Sequence, residues 1–253
     1  MADRTRPVAL VTGATQGIGL AIARRLAAGG ARVAVNGPVH DAAMDAAVAE
    51  VDGVAAPADV SDRGQVFALA DRLRDEAGPI GVLVANAAYM TMAPFLDHEP
   101  ADWWRVVDTN LTGTFQLVQA VVPDMIRRGT GRVVIVASEW GVTGWPNATA
   151  YAASKAGLIS LTKSLGRELA PRGVVVNAVA PGVTDTPQLA VDAADAGVSV
   201  EEMRRRYASG IPAGRIGRPE EIAAAVALLA DPSMGALVGQ VIQVNGGATR
   251  CRA

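Results

Sequence analysis

The chain of 253 residues is short of the groups on which many protein classes depend. Its one cysteine, Cys251, cannot form an internal disulfide, which suits a reducing, cytoplasmic setting. Reactivity of a thiol needs an activating environment, and Cys251 reads as an inert tail residue. The two histidines, His40 and His98, have no partner spacing for metal or nucleophilic catalysis, and no cysteine or carboxylate cluster suggests a metal. Every apolar run is interrupted by polar or charged residues before it is long enough to cross a bilayer. The first six residues lead into a strand-like run without a signal-peptide pattern. Net charge is −2 and the pI is near 5.7, so there is no basic surplus for nucleic acid.

Lysine is scarce too: two stand against twenty-one arginines, and tyrosine occurs three times. One of each falls in Tyr151-Ala152-Ala153-Ser154-Lys155. A spacing of four puts both side chains on one helix face. A phenol, with an ordinary pKa of about 10, is a poor acid or base at neutral pH. A cation beside it favours the phenolate, so Lys155 is expected to draw Tyr151 down toward the working range. Arginine would bring charge, but its planar fork has a different shape from a compact ammonium.

Half of the residues are apolar, enough for one large core. Short β-branched runs at 8–12, 32–36, 53–57, 81–85, 132–137, 174–179 and 241–244 alternate with helical patterns near 17–29, 41–50, 62–76, 101–128, 149–170 and 219–230. Such alternation predicts βαβ units and a parallel sheet. The strand runs are apolar almost throughout, as strands covered on both faces are. One domain is expected, with an insertion at about 183–218 beyond the carboxyl end of the sixth strand, where an α/β enzyme places a substrate lid. A solvated helical hairpin is the plain alternative for that insertion.

The first strand runs into Gly13-Ala14-Thr15-Gln16-Gly17-Ile18-Gly19 and then a helix. Glycines there let backbone approach a ligand, and the free N–H groups of a helix start attract phosphate. An ordinary tight turn would use the same residues. Asn86-Ala87-Ala88 follows a buried strand, where small residues let a flat ligand lie close. Asp59 and Val60, after the third strand, are placed to meet an adenine edge, or to cap a loop.

Thr12-Gly13-x-x-x-Gly17-x-Gly19, Asn86-Ala87-Ala88, Asn110 in Asn110-Leu111-x-Gly113, Ser138, Tyr151-x-x-x-Lys155, Asn177 and Pro181-Gly182 with Thr186 come in the order and spacing of one family. Over essentially its whole length the chain resembles the short-chain dehydrogenases/reductases. The resemblance implies a Rossmann-like, doubly wound sheet of seven parallel strands flanked by helices, a nicotinamide cofactor and reversible carbonyl–alcohol hydride transfer. It implies Tyr151 as the proton donor and acceptor and Lys155 as a hold on the nicotinamide ribose. Ser138 would hydrogen-bond the developing alkoxide, and Asn110 would support a water linking Lys155 to solvent. A turn-capping serine and a polar kink in a long helix are the alternatives for these last two. The implied cofactor set is Gly13, Thr15, Gln16, Gly17, Ile18, Gly19, Asn36, Asp59, Val60, Asn86, Ala87, Ala88, Tyr151, Lys155, Pro181, Gly182, Thr184 and Thr186, with Thr186 on the carboxamide. The substrate pocket is expected from Ser138, Glu139, Trp140, Val142, Trp145, Asn147 and Tyr89, with Gln188 and Leu189 from the lid.

The chain departs from the family pattern at three places. Ala85-Asn86-Ala87-Ala88 lacks the usual first asparagine and the final glycine. Asn36-Gly37-Pro38 has neither the acid that marks NAD nor the arginine that marks NADP, and Gln16 replaces a basic residue common in NADP-dependent relatives. Asn245 stands where aspartate is frequent. The cofactor reading leans to NAD(H) and leaves NADP(H) open, and Asn36→Asp is expected to sharpen a preference for NAD(H).

An oxidoreductase for a small to medium carbonyl or secondary alcohol follows: a polar or cyclic alcohol or ketone, or a 3-oxoacyl thioester. The mixture of tryptophans with Glu139 and Asn147 favours the polar or cyclic class. A nucleotide-binding sensor or scaffold that lost its chemistry is the alternative, opposed by the retained Ser138, Tyr151 and Lys155. An epimerase or dehydratase would need a larger C-terminal substrate part. Helices near 101–128 and 149–170 carry apolar residues on more than one face, and in the resembling family they pair across a two-fold while the final strand and tail form another contact. A homotetramer is expected, with Trp103 and Trp104 anchoring a helix start on the core or on a partner subunit.

Overall fold

The computed structural model describes residues 8–249; Cys251 and the tail contact lie outside them. Seven strands form one sheet: β1 Val8–Val11, β2 Arg32–Gly37, β3 Val54–Pro57, β4 Ile80–Ala85, β5 Gly131–Val136, β6 Val174–Pro181 and β7 Val241–Val244. All neighbours are parallel and the order is β3-β2-β1-β4-β5-β6-β7. Strand order reverses direction between β1 and β4, and that reversal opens a crevice at the carboxyl ends of the strands.

Helices cover both faces, which is why the strand sequences do not alternate. On one face α1 Gly17–Ala28, α2 Ala42–Val51 and α10 Pro219–Ala230 bury Ile22, Met44 and Ile222 against Val11, Val35 and Val179. On the other, α3 Arg63–Glu76, α5 Gly113–Arg128 and α7 Thr149–Leu169 bury Leu69, Leu117 and Leu158 against Leu10, Leu83 and Ile135. Asn177, at the centre of β6, donates to Leu237 O at 2.7 Å and accepts from Gln240 N at 2.9 Å, which fastens β6 to the approach of β7.

The helical pattern at 101–128 is interrupted. It comprises α4 Pro100–Val107, a π-helical turn Asp108–Thr112 and then α5. A π turn accommodates one more residue than an α turn and shifts the faces that follow it. Residues 183–218 hold α8 Gln188–Asp195 and α9 Val200–Ser209, closed on a small core of Leu189, Ala193, Met203 and Ile216. A bridge between Thr184 and Gly217 joins the two ends of this insertion. Its arginines are solvated pairs: Arg204 meets Asp185 at 2.8 Å and Glu201 at 2.6 Å, and Arg205 and Arg206 meet Glu202. The short helix α6 Trp140–Thr143 completes the set between β5 and α7.

Candidate active site

The glycine turn after β1 is built for close approach. Gly13 and Gly17 have φ of 60° and 54°, in the left-handed region that side chains disfavour. A Cβ on Gly19 would lie 2.0 Å from Gly13 O and 2.7 Å from Asn86 Nδ2, so α1 can start here only with glycine. Asn86 secures the turn from the neighbouring strand: its Nδ2 donates to Thr12 O at 2.8 Å. Thr12 Oγ1 accepts from both Asn86 N and Ala87 N at 3.0 Å. Helix α1 has no side-chain cap and no acid in its first turn, so its leading N–H groups are free for an anion.

A cleft of about 820 Å³ runs from this turn across the strand ends to α8 and α9. Every residue of the expected cofactor set lines it: Gly13, Thr15, Gln16, Gly17, Ile18, Gly19, Asn36, Asp59, Val60, Asn86, Ala87, Ala88, Tyr151, Lys155, Pro181, Gly182, Thr184 and Thr186. Several of these side chains are also committed locally. Asp59 Oδ1 accepts from Ser61 N and Oγ, which makes it a turn-former. Thr184 Oγ1 donates to Gly182 O. Asn36, buried at the end of β2, spends Nδ2 on Ala56 O at 2.8 Å and Ala58 O at 3.0 Å, leaving Oδ1 buried without a partner. An orphaned acceptor, an uncapped helix start and a glycine turn together fit the ribose and pyrophosphate of a dinucleotide.

Ser138, Tyr151 and Lys155 meet on the wall of the cleft. Ser138 follows β5 and stands near enough to the Tyr151 phenol to oppose the effect of burial on it. Its Oγ also accepts from Trp140 N at 3.2 Å, so Ser138 caps α6 as well. Trp140 stands edge-on to the Tyr151 ring at 5.8 Å. Lys155 is 2% exposed; its Nζ donates to Val136 O at 2.8 Å and lies 5.4 Å from the centroid of the Tyr151 ring. Burial pushes the phenol up to about 12, only partly offset by Ser138, and pushes the Lys155 ammonium down to about 8. The net direction for Tyr151 is therefore opposite to that expected, because loss of hydration is the larger effect.

Asn110 does not line the cleft. It is buried in the π turn, where Oδ1 accepts from Tyr89 N at 2.8 Å while Nδ2 donates to Tyr89 O at 3.0 Å and Ser154 Oγ at 3.1 Å. Its observed work is to fix Tyr89 and Ser154 of α7 from within the π-helical turn.

The substrate wall is redistributed. Ser138, Glu139, Trp140, Tyr89, Gln188 and Leu189 line the cleft, whereas Val142, Trp145 and Asn147 stand outside it. Gly144, at φ 68°, turns the chain away after α6. Trp145 stacks on Trp140 at 4.9 Å and 6°, which braces the wall from behind, and Asn147 sits at φ 63° with its carbonyl accepting from Ala93 N. Glu139 lies near Asn245, Thr249 and the Val183 backbone with Oε2 buried and unpartnered, and burial raises its carboxyl above the usual range. The Asn245 amide donates to Gln243 Oε1 and Thr249 O, and an aspartate in its place would set a second carboxylate near Glu139. Sequence reasoning missed Trp104, Arg105, Asp192 and Tyr207, all of which line the cleft. Trp104 is 58% exposed and packs edge-on to Trp103 at 4.9 Å. The histidines have modest partners: His40 meets Asp45 at 2.7 Å and His98 meets Thr91 Oγ1 at 3.3 Å.

A family model described as enoyl-(acyl carrier protein) reductase matches residues 13–249. A 3-oxoacyl-[acyl-carrier-protein] reductase, FabG, of Thermotoga maritima is 39% identical over 245 residues, 95% of this chain and 96% of that protein. A cis-4-hydroxycyclohexanecarboxylate dehydrogenase of Sinomonas cyclohexanicum is 41% identical over 247 residues, 96% of each. A crystal structure of a variant actinorhodin polyketide ketoreductase with NADPH superposes with a TM-score of 0.92 at 38% identity, covering 98% of this chain and 99% of that one. With its glycine turn, its strand order and its serine–tyrosine–lysine wall, the chain belongs to the short-chain dehydrogenases/reductases, oxidoreductases that pass a hydride between a nicotinamide cofactor and a carbonyl or secondary alcohol.

Proposed function

We propose that the chain interconverts a cyclic or polar-substituted ketone and its secondary alcohol, with Tyr151 as proton donor and acceptor. The carrying observation is the meeting of Ser138, Tyr151 and Lys155 on one wall of the cleft. The nicotinamide, when bound, supplies or accepts the hydride. Tyr151, protonated at neutral pH, gives its proton to the carbonyl oxygen in reduction and, as phenolate, takes it back in oxidation. Ser138 donates to the same oxygen as negative charge develops there. Lys155 stabilises the phenolate that Tyr151 leaves behind and would hold the nicotinamide ribose, and Thr186 would hold the carboxamide. Trp140 gives the substrate a flat apolar wall and Leu189 closes over it from the insertion at 183–218, which acts as the lid. A flat wall favours a ring over a long plain acyl chain. The hydroxycyclohexanecarboxylate dehydrogenase supports that choice, and the 3-oxoacyl reductase keeps the thioester as the second reading. A panel of ketones and alcohols read by nicotinamide absorbance tests both: turnover of 3-oxoacyl thioesters above that of cyclic ketones would reverse the order.

NAD(H) is the proposed cofactor, on the strength of Asn36. Both of its amide protons go to Ala56 and Ala58, and the remaining Oδ1 is an acceptor. A ribose 2′-hydroxyl can donate to it; a 2′-phosphate brings only acceptors and near-double negative charge. The NADPH in the ketoreductase structure is the counter-indication. Kinetics with both cofactors decide, and a kcat/KM at least tenfold higher with NADP(H) would overturn the assignment. Asn36→Asp is a poor probe, because it would set a carboxylate against the two carbonyls and is expected to lower Tm. Pro38→Arg instead places a guanidinium at the rim and is expected to raise the NADP(H)/NAD(H) ratio of kcat/KM at least tenfold, about 1.4 kcal/mol.

Self-association, as a homotetramer in a cytoplasmic setting, belongs to the same proposal. Leu96 is 91% exposed and Phe95 74%, in the turn before α4, and Phe115 on α5 is 45% exposed. Light scattering should give a mass near four times 25.9 kDa, and a monomer at micromolar concentration would contradict it.

A further inference from the structure

Among the described residues, two cations line the cleft, Lys155 and Arg105. Lys155 is buried and committed to Val136 O. Arg105, on α4, meets no carboxylate among the described residues, although Asp102 and Asp108 lie within one turn on the same helix. The arginines of the lid, by contrast, are all salt-bridged. Arg105 is nevertheless held in place. Its Cζ lies 4.1 Å over the Tyr89 ring and Nη1 donates to Tyr89 Oη at 3.2 Å. Tyr89 is itself gripped through its backbone by Asn110, which also bonds Ser154 on α7. A guanidinium has five N–H donors in a fixed fork, and one of them is used here. The lid side of the cleft carries the opposite sign: Asp192 accepts from Tyr207 Oη and Gln188 Nε2, both at 3.0 Å. Asp108, directly after α4, lines the cleft too, so what draws an anion to this side is the unpaired Arg105 fork itself.

We infer that Arg105 recognises a carboxylate on the substrate, so that the substrate class is a ring alcohol or ketone bearing an acid remote from the reacting carbon. The inference rests on reading the cleft as a carbonyl–alcohol site, and it deepens that reading. Tyr89 acts as the platform that pre-orients the fork, and a carboxylate accepts two parallel bonds from it.

The test is binding, independent of turnover. Cyclohexanecarboxylate and cyclohexanecarboxamide, equal in shape and different in charge, are titrated calorimetrically into the enzyme with saturating NAD(H). The acid is expected to bind at least tenfold tighter than the amide. Arg105→Gln should abolish that difference while leaving the affinities for the amide and for NAD(H) within twofold. Equal or undetectable binding of the two probes overturns the inference, as does a preference for the acid that survives Arg105→Gln. A loss of NAD(H) affinity in the variant also overturns it, because the guanidinium then serves the cofactor's pyrophosphate. If the acid preference holds but no ketone or alcohol in the panel turns over, the assigned reaction fails and the carboxylate site stands.

Discussion

Tyr151→Phe lowers turnover in both directions by at least about a hundredfold, the scale on which a positioned acid–base group acts. The substitution keeps the ring, so its edge contact with Trp140 remains and the cleft keeps its shape. It removes the hydroxyl near Ser138 and the proton that the carbonyl oxygen must receive. Affinity for NAD(H), measured by nicotinamide fluorescence, stays within about twofold, because binding of the dinucleotide depends on the glycine turn and the uncapped start of α1. Turnover within a few-fold of the unsubstituted enzyme would remove Tyr151 from the mechanism. The same residue sets a direction in pH. With the phenol pushed up to about 12, reduction has its donor protonated throughout the neutral range, while oxidation gains as rising pH supplies phenolate.

Lys155→Met has two effects of opposite sign. Activity falls by at least about tenfold, since no ammonium remains to stabilise the phenolate. Stability at pH 7 rises. The lysine is buried, with its folded pKa lowered from 10.5 to about 8. Below pH 8 it is protonated both folded and unfolded, and the native state carries the full cost of burying charge. Between pH 8 and 10.5 the unfolded chain holds more protons than the native one, so the cost is relieved as pH rises, and above 10.5 it is gone. That cost is on the order of 3 kcal/mol, and leaving Val136 O without its donor returns about 1 kcal/mol. Thermal unfolding should therefore show Lys155→Met several degrees above the parent at pH 7, with the gap closing toward pH 10.5. A lower Tm at pH 7, or a gap that ignores pH, would show that the buried charge is not a burden.

What the sequence made legible were features carried by backbone and spacing. Gly13, Gly17 and Gly19 mark a turn that side chains cannot make, and four-residue spacing fixes Tyr151 and Lys155 on one face of α7 whatever the rest of the chain does. Apolar runs without alternation gave the covered parallel sheet for the same reason. Side-chain direction was not legible. Trp145 and Asn147 are near Ser138 in sequence, but Gly144 sends them behind the wall. Glu139 lies near Asn245, a neighbour across the sheet that no local pattern encodes. Arg105 is defined by Tyr89 and by the absence of an acid partner, and both are facts of packing. The pKa of Tyr151 went the other way from expectation because spacing reports a neighbouring charge and says nothing about lost water.

The π turn at Asp108–Thr112 has a consequence for how this chain tolerates change. It is one residue too long for a regular helix, and its looser hydrogen bonding is offset by Asn110, whose side chain makes three bonds. Removing one residue would let α4 and α5 fuse into a continuous α-helix with better backbone geometry, and would swing whatever precedes the cut by about 100° about the axis. Arg105 and Trp104 would leave the cleft, and Asn110 would lose Tyr89. A library of single-residue deletions screened for heat resistance would thus enrich survivors at this turn, and a second screen for turnover would discard the same clones.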